Sequence, residues 1–172
     1  AARRQCLHHN PRADRGLSGR RGGADRRDGA DILDGTGGDD TLDGGFGNDT
    51  YEVDSATDVV TEATNAGDDQ IRIKAGTELT LTMAANVEDA MVYYGGAYGN
   101  EGHNITGNTL DNFISGDYGG NTLSGGSGND TLDGGEGADI RSGGAGNGTL
   151  TGGAGSDVYL MNRGDGFDSI SA

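Results

Sequence analysis

The sequence has few of the residues that ordinarily build or crosslink a compact core. Its 172 residues include one cysteine, Cys6, one proline and no tryptophan, and hydrophobic residues make up 31% of the chain. A single cysteine excludes an intrachain disulfide. So few apolar side chains cannot fill a conventional layered core, and the composition would ordinarily predict disorder unless another source of stabilisation exists.

Long hydrophobic runs and catalytic motifs are also missing. No apolar run approaches the roughly twenty residues of a membrane-spanning helix, and no N-terminal secretory signal is visible. The three histidines are His8, His9 and His103, and neither an HExxH nor a G-x-S-x-G motif occurs. Paired carboxylates could serve glycoside hydrolysis, but a metal-binding repeat explains their spacing better. We therefore expect a protein that is not an enzyme.

Basic residues are scarce outside the N-terminal segment. The net charge is −16, which divides into +6 for residues 1–27 and −22 for the remainder. An acidic, glycine-rich body repels nucleic acid and anionic membranes and attracts divalent cations. The charge therefore predicts a cation as partner and no nucleic acid.

What the chain has in abundance is glycine, 36 residues, arranged in a nine-residue repeat. The segment 125–133, GGSGNDTLD, is the cleanest copy, with glycines at positions one, two and four, an aspartate at position six and an apolar residue at position eight. A fixed short period predicts one small unit stacked on itself. Position eight of successive repeats holds Leu33, Leu42, Tyr51 and Val60, and later Ile105, Ile114, Leu123, Leu132, Arg141, Leu150 and Tyr159.

The repeat combines tight turns with hard oxygen ligands. Glycine adopts positive φ without a Cβ clash, so a glycine-rich turn can direct several carbonyls inward. Aspartate adds a charged oxygen, and Ca²⁺ takes six to eight oxygen ligands. The aspartates that we expect to bind the metal are Asp31, Asp40, Asp49, Asp58, Asp130, Asp139 and Asp157, joined by Asn112 and Asn121. The accompanying glycines are Gly29, Gly38, Gly45, Gly47, Gly126, Gly128, Gly135, Gly137, Gly153 and Gly155.

From residue 26 to residue 159 these blocks resemble the hemolysin-type calcium-binding repeat of RTX proteins, GGxGxDxUx. The resemblance implies an all-β fold, a parallel β-roll. Such a roll is a right-handed β-solenoid with Ca²⁺ bound between its turns. It also implies a secreted, extracellular protein exported by type I secretion machinery. Such a module would stay unfolded in the calcium-poor cytosol and fold outside on binding Ca²⁺.

The periodicity divides the chain into four segments. Residues 1–25 form an aperiodic, arginine-rich tail that we expect to be disordered. Residues 26–60 and 105–172 form two calcium-binding blocks, the second truncated, as in a fragment of a larger protein. Residues 61–104 lose the glycine code but alternate like strands, and the steps from Val60 to Ile71 and from Tyr159 to Ile170 are both eleven residues. We expect the coil to continue there in an irregular form.

Two half-turns make a coil of eighteen residues, so position six should lie near position six two repeats later. By this rule Asp31 with Asp49 and Asp139 with Asp157 are complete pairs. Asp40 with Asp58 is a weaker pair, since the turn before Asp58 has no glycine. Departures at Asn112 and Gly148 remove charge on both sides of Asp130. We expect about two to five calcium ions in all.

Arg141 is the sharpest misfit, because it occupies an inward apolar position. A buried, unpaired guanidinium is costly. The sequence is compatible with two conformations: the side chain of Arg141 extends out to solvent, or Ile140 turns inward through a local register slip.

Several further surfaces are candidates for ligand binding. Cys6, His8 and His9 are weak candidates for a transition-metal site. Residues 91–94, MVYY, are expected to pack against the coil, although they could instead form an aromatic ligand patch. A ladder of threonines at position seven would suit a calcium-dependent adhesive module that binds extracellular polysaccharide: Thr41, Thr50, Thr122, Thr131 and Thr149. A third hypothesis is the C-terminal part of a secreted protease, lipase or polysaccharide-modifying enzyme.

Overall fold

The computed structural model describes residues 27–74, 76, 78–93 and 102–171, and all regular structure in these ranges is β. None of the described residues belongs to a helix, so no helix there could span a membrane. Strands of two to four residues alternate with glycine-rich turns. The strands are β1 (Arg27–Asp28), β2 (Ile32–Asp34), β3 (Thr41–Asp43), β4 (Gly45–Phe46), β5 (Thr50–Val53), β6 (Val59–Thr61), β7 (Gln70–Ile73), β8 (Thr80–Thr82), β9 (Asp89–Val92), β10 (Asn104–Thr106), β11 (Phe113–Ser115), β12 (Thr122–Ser124), β13 (Thr131–Asp133), β14 (Ile140–Ser142), β15 (Thr149–Thr151), β16 (Val158–Tyr159) and β17 (Ser169–Ser171).

The strands stack in parallel on two sides of a coil of about seven turns. One side is an eight-stranded sheet in the order β17-β15-β13-β11-β9-β7-β5-β2, and we call it the long side. The opposite side, the split side, has a five-stranded sheet, β16-β14-β12-β10-β8, and a separate pair, β3-β6. From β10 onward, consecutive strands therefore lie on opposite sides, and the predicted parallel β-roll is confirmed.

The register shows the coil length directly. Within the long side, Leu132 pairs with Ile114 of the preceding coil and with Leu150 of the following coil. Within the split side, Leu123 pairs with Ile105 of the preceding coil. Each step is eighteen residues, two nonapeptides, as predicted. The β-ladder hydrogen bonds join neighbouring coils, so every backbone group of a three-residue strand can pair without a long strand.

The inward side chains at position eight form the core. Ile114, Leu132 and Leu150 are fully buried in one column, and Ile105 and Leu123 are 1% exposed in the other. A three-residue strand points one side chain inward and two outward, which is why one apolar residue per repeat is enough. The narrow coil lets the two columns touch and share a single core.

The irregular middle segment keeps the coil but widens it. Thr50 pairs with Gln70 and Thr149 with Ser169, twenty residues apart, so both eleven-residue steps accommodate their two extra residues within turns. Asp89 pairs with Phe113, twenty-four residues away. In the described part of this segment the strands continue the coil, as predicted.

The Arg141 position corrects both conformations inferred from the sequence. Arg141 is fully buried, and it keeps the register of its neighbours, pairing with Leu123 and Tyr159. Ile140 points outward and is 39% exposed. The guanidinium stays inside because ion pairs compensate its burial, which sequence spacing alone did not reveal.

Three further expectations concern surfaces. The threonine ladder is wrong as a single feature: Thr131 and Thr149 are adjacent on the long side, but Thr122 lies on the split side. In the MVYY segment Val92 is buried, and exposed Tyr93 has the Arg72 guanidinium 5.5 Å from its ring centroid. The expected tail, Cys6, His8, His9 and Tyr94 lie outside the described residues.

Candidate metal centre

Position six forms a ladder of carboxylates that connects successive coils. The backbone N–H of Asp31 donates to Oδ1 of Asp49 at 2.8 Å, and that of Asp49 donates to Oδ1 of Asp69 at 2.8 Å. The same bond joins Asp139 N to Asp157 Oδ1 at 3.2 Å. Each accepting aspartate thus uses one carboxylate oxygen to bind a backbone N–H of the preceding coil, which directs its side chain into the turn.

The second carboxylate oxygen has no such partner at five of these positions. Within the described ranges, Oδ2 is buried and makes no hydrogen bond in Asp40, Asp49, Asp69, Asp130 and Asp168. A buried polar atom without a partner costs free energy, and a buried charge costs more. These oxygens therefore mark places where the fold lacks a positive partner.

Glycine at position one keeps space free beside these oxygens. A Cβ on Gly44 would collide with Oδ2 of Asp49, and a Cβ on Gly125 would collide with Oδ2 of Asp130. All ten glycines predicted to serve the metal have positive φ, between 82° for Gly153 and 145° for Gly155. The glycine code therefore does two things: it permits the turn, and it keeps the carboxylate approachable.

The densest group of acids among the described residues lies where β5 and β7 begin and β6 ends. Asp49, Glu62 and Asp69 are all buried, and one carboxylate oxygen from each lies within 4.8 Å of the others. Glu62 accepts a hydrogen bond from the hydroxyl of Tyr51 at one oxygen and from Ala63 N, at 2.7 Å, at the other. Asp49 and Asp69 each contribute a buried oxygen that makes no hydrogen bond, so three carboxylates lie close together here.

The electrostatics of the cluster agree with its geometry. Burial, reinforced by the neighbouring carboxylates, raises the pKa of Asp49 from 3.8 to about 6, and the pKa of Asp69 likewise from 3.8 to about 6. A divalent cation would oppose both causes, since it replaces lost hydration and neutralises repulsion. Oxygen-only ligands on irregular backbone suit calcium among the common cations. The residues present therefore fit the ion that the repeat predicts.

The pairs ranked from the sequence are not alike in the structure. Asp58 accepts backbone hydrogen bonds at both oxygens, from Asp40 at Oδ1 and from Asp54 and Ser55 at Oδ2. The carboxylate of Asp58 is thus occupied by backbone N–H groups of its own turn and of the preceding coil, in keeping with the weaker rank given to it. The Oδ2 atom of Asp40 remains unpartnered.

The two asparagines use their amides within the chain. Asn112 Oδ1 accepts from Asn108 N at 2.9 Å, and its Nδ2 donates to the carbonyls of Val87 and Glu88. Asn121 Oδ1 accepts from His103 N, and its Nδ2 donates to Asp117 and Gly119. The Asn121 amide thus donates to a carboxylate, that of Asp117, whereas the Asn112 amide donates to backbone carbonyls.

Around Asp130 the ladder is broken and then resumes. Gly148 has no side chain, so it adds no carboxylate to the coil after Asp130. Its N–H donates to Oδ1 of Asp168 at 2.8 Å. Burial raises the pKa of Asp130, and the charge of Asp168 contributes to the rise. Along the long side, Gly148 therefore lies at position six between Asp130 on the preceding coil and Asp168 on the following coil.

The Asp139 and Asp157 pair holds the Arg141 side chain. Nη1 lies 3.2 Å from Asp139 Oδ2, and Nη2 lies 3.1 Å from Asp157 Oδ1. The second distance is that of an ion pair without hydrogen-bond alignment. The pair that the sequence ranks as complete thus already has a cation, supplied by the chain.

Sequence reasoning missed three acids of the candidate centre. Asp69 and Asp168 follow the two eleven-residue steps and retain a G-x-D-x-I core, so a repeat with a two-residue insertion would have identified both. Glu62 occupies no repeat position in the sequence. Only the fold shows that its side chain turns inward beside Tyr51.

Comparison with known proteins agrees with the geometry. The family model described as the RTX calcium-binding nonapeptide repeat (4 copies) matches residues 27–60, 106–140 and 142–170, more than half of the chain. No curated protein and no solved structure gives a significant match. The matched segments contain the carboxylate ladder except for its middle part. The chain belongs to the RTX calcium-binding nonapeptide repeat family.

Proposed function

We propose that this chain is a non-catalytic calcium-binding module that folds when it binds Ca²⁺ after secretion. The observation that carries the proposal is the row of buried carboxylate oxygens without partners: Asp40, Asp49, Asp69, Asp130 and Asp168. A fold that buries such charges is unfavourable until a cation compensates them. Binding free energy and folding free energy then become the same quantity.

The distribution of charge supports coupling to export. With a net charge of −16 and few apolar residues, the metal-free chain repels itself and has little core to hold it together. Extracellular modules bind calcium with dissociation constants of about 10⁻⁴–10⁻³ M, far above cytosolic calcium. The chain would therefore pass a type I secretion channel unfolded and order itself outside.

The role proposed for the carboxylates is structural. Asp49 and Asp69 each use one oxygen to hold the preceding coil, and Arg141 supplies one positive charge between Asp139 and Asp157. Acid–base catalysis needs a carboxyl that faces a substrate, whereas these face the interior of the roll. An adhesive role has weaker support, since the threonines divide between two sides.

The test is a calcium titration followed by far-ultraviolet circular dichroism and tyrosine fluorescence. We expect a cooperative gain of β signal between about 10⁻⁴ and 10⁻² M calcium, with no comparable gain in magnesium, which requires stricter octahedral geometry. Native mass spectrometry should show bound calcium in the same samples. A chain that is equally folded and equally resistant to urea in excess chelator would refute the proposal.

A further inference from the structure

The two sides of the roll differ in the hydrogen bonding of their position-six side chains. On the long side, Asp49, Asp69, Asp130 and Asp168 each keep an unpartnered oxygen. On the split side from β10 onward, position six holds His103, Asn121, Asp139 and Asp157, one per coil. Each of these is joined to its neighbour by the same backbone ladder. The difference lies in the donors that reach the inward atoms.

Donors from the chain reach most inward atoms of the split side, and Oδ2 of Asp117 is the one buried carboxylate oxygen described there, from β10 onward, that makes no hydrogen bond. Nε2 of His103 lies 3.6 Å from Oδ2 of Asp117, and both side chains are buried. The amide of Asn121 donates to the other oxygen of Asp117 at 2.9 Å. At the next coils the donor is the guanidinium of Arg141. Among the described residues, no coil on this part of the split side has a cluster of carboxylates like that of Asp49.

The guanidinium occupies the space beside a position-one glycine. A Cβ on Gly134 would meet both Nη1 of Arg141 and Oδ2 of Asp139, whereas a Cβ on Gly125 meets Oδ2 of Asp130 and the carbonyl oxygen of Gly143. Arg141 therefore lies beside a carboxylate oxygen whose equivalent in the neighbouring repeat, Oδ2 of Asp130, makes no hydrogen bond.

Arg141 is held there from several directions. Nη1 donates to Asp139 Oδ2 at 3.2 Å and to the carbonyl of Gly152 at 3.1 Å, and Nη2 lies 3.1 Å from Asp157 Oδ1. The guanidinium carbon is 4.9 Å from the centroid of the Tyr159 ring, at cation–π distance. A carboxylate on each of two successive coils thus faces one positive charge, as it would face a metal ion.

We propose that Arg141 is a tethered cation that replaces calcium between Asp139 and Asp157, so that this step of the roll closes without metal. The inference rests on the proposed function, since it assigns the places where calcium does not bind. The two sides of the second block then differ: the long side keeps unpartnered carboxylate oxygens at Asp130 and Asp168, whereas the step between Asp139 and Asp157 needs no metal.

The experiment counts bound calcium by native mass spectrometry of the full chain at a fixed free calcium concentration. Arg141→Leu restores the residue type of Leu123 and Leu132 and frees both carboxylates. We expect one calcium ion more than in the wild type. The double variant Arg141→Leu with Asp157→Asn should lose that additional ion, which assigns it to this step of the roll.

Two single variants keep the test decisive if Arg141→Leu does not fold. Asp157→Asn should leave the wild-type calcium count unchanged, because Asp157 is paired with Arg141. The matched charge change Asp69→Asn should lower the count by one.

The outcomes separate the two proposals. A wild-type chain that binds no calcium refutes the proposed function itself. A wild-type chain that binds calcium, combined with loss of one ion in Asp157→Asn or no additional ion in folded Arg141→Leu, overturns the assignment of Arg141 alone. One ion gained in Arg141→Leu and lost again in the double variant supports it.

Discussion

Replacing Asp69 by asparagine should change stability in opposite directions with and without calcium. Asp69 Oδ1 accepts the N–H of Asp49 at 2.8 Å, and its Oδ2 is buried beside Glu62 without a partner. Asparagine retains the first oxygen and puts a neutral amide in place of the second. The substitution therefore removes a charge and a metal ligand while it preserves the backbone hydrogen bond.

Without calcium the substitution should stabilise the fold. A rise of the Asp69 pKa from 3.8 to about 6 penalises its ionised form in the folded state at neutral pH. Such a rise corresponds to about 3 kcal/mol, and solvent screening reduces what is measured to about 1.5 kcal/mol. Asp69→Asn should gain that amount in excess chelator.

With calcium the sign should reverse. A site with a dissociation constant of about 10⁻⁴ M contributes about 2.7 kcal/mol at hundredfold excess of calcium. Losing that contribution outweighs the charge relief, so Asp69→Asn should be less stable than the wild type by about 1 kcal/mol in about 10 mM calcium. The difference between the two conditions, about 2.7 kcal/mol, is the quantity that reports the site.

The assay is unfolding monitored by tyrosine fluorescence, in urea with calcium, and in chelator with trimethylamine N-oxide added to populate the folded state. Asp68→Asn is the matched control, because Asp68 is the adjacent residue with the same charge and an exposed side chain. The control should shift stability equally in both conditions. Destabilisation of Asp69→Asn by the same amount with and without calcium would refute the reasoning.

Two further predictions concern the same centre. In chelator the pKa values of Asp49 and Asp69, raised from 3.8 to about 6, mean that the folded chain binds more protons than the unfolded chain. The free energy of unfolding should therefore fall as the pH rises from about 4 to about 6, and denaturation that shows a rise over this interval contradicts the burial of these carboxylates. With calcium present, protons compete with the metal, so calorimetry should show affinity falling as the pH is lowered below about 6. Gly44→Ala places a methyl group against Oδ2 of Asp49 and should remove one calcium ion from the native mass spectrum, at a cost of about 1–3 kcal/mol in stability. Gly76→Ala, which faces open space, should bind as many ions as the wild type, and an equal loss in both variants would show that glycine content rather than this contact matters.

The nine-residue period was sufficient to predict the eighteen-residue coil and its inward residues, and the resemblance to the RTX repeat implied the parallel roll. Leu132 and Leu150 pair and are buried as the spacing requires. The eleven-residue step to Ile71 also predicted that the coil continues from β5 to β7, because an insertion in a turn leaves the strand register unchanged. These features depend on local periodicity, which a sequence contains.

The chemistry of individual coils could not be predicted in the same way. Whether Arg141 extends to solvent or stays inside depends on two carboxylates and a ring from neighbouring turns. Glu62 joins the acidic cluster because its segment folds back beside Tyr51. Both features depend on which side chains the fold brings together, and the sequence around Arg141 or Glu62 does not indicate those contacts.

The coil of two nonapeptides has a consequence for how such a chain can change length. Leu132 pairs with Ile114 and Leu150, never with Leu123, so successive nonapeptides belong alternately to the two sides. Loss of one nonapeptide would exchange the sides for every strand that follows, and would place Arg141 in the column of Leu132. Loss of two removes a complete coil and leaves both columns intact. Duplication and deletion in this chain therefore obey a parity rule: only even numbers of repeats conserve which aspartates face one another.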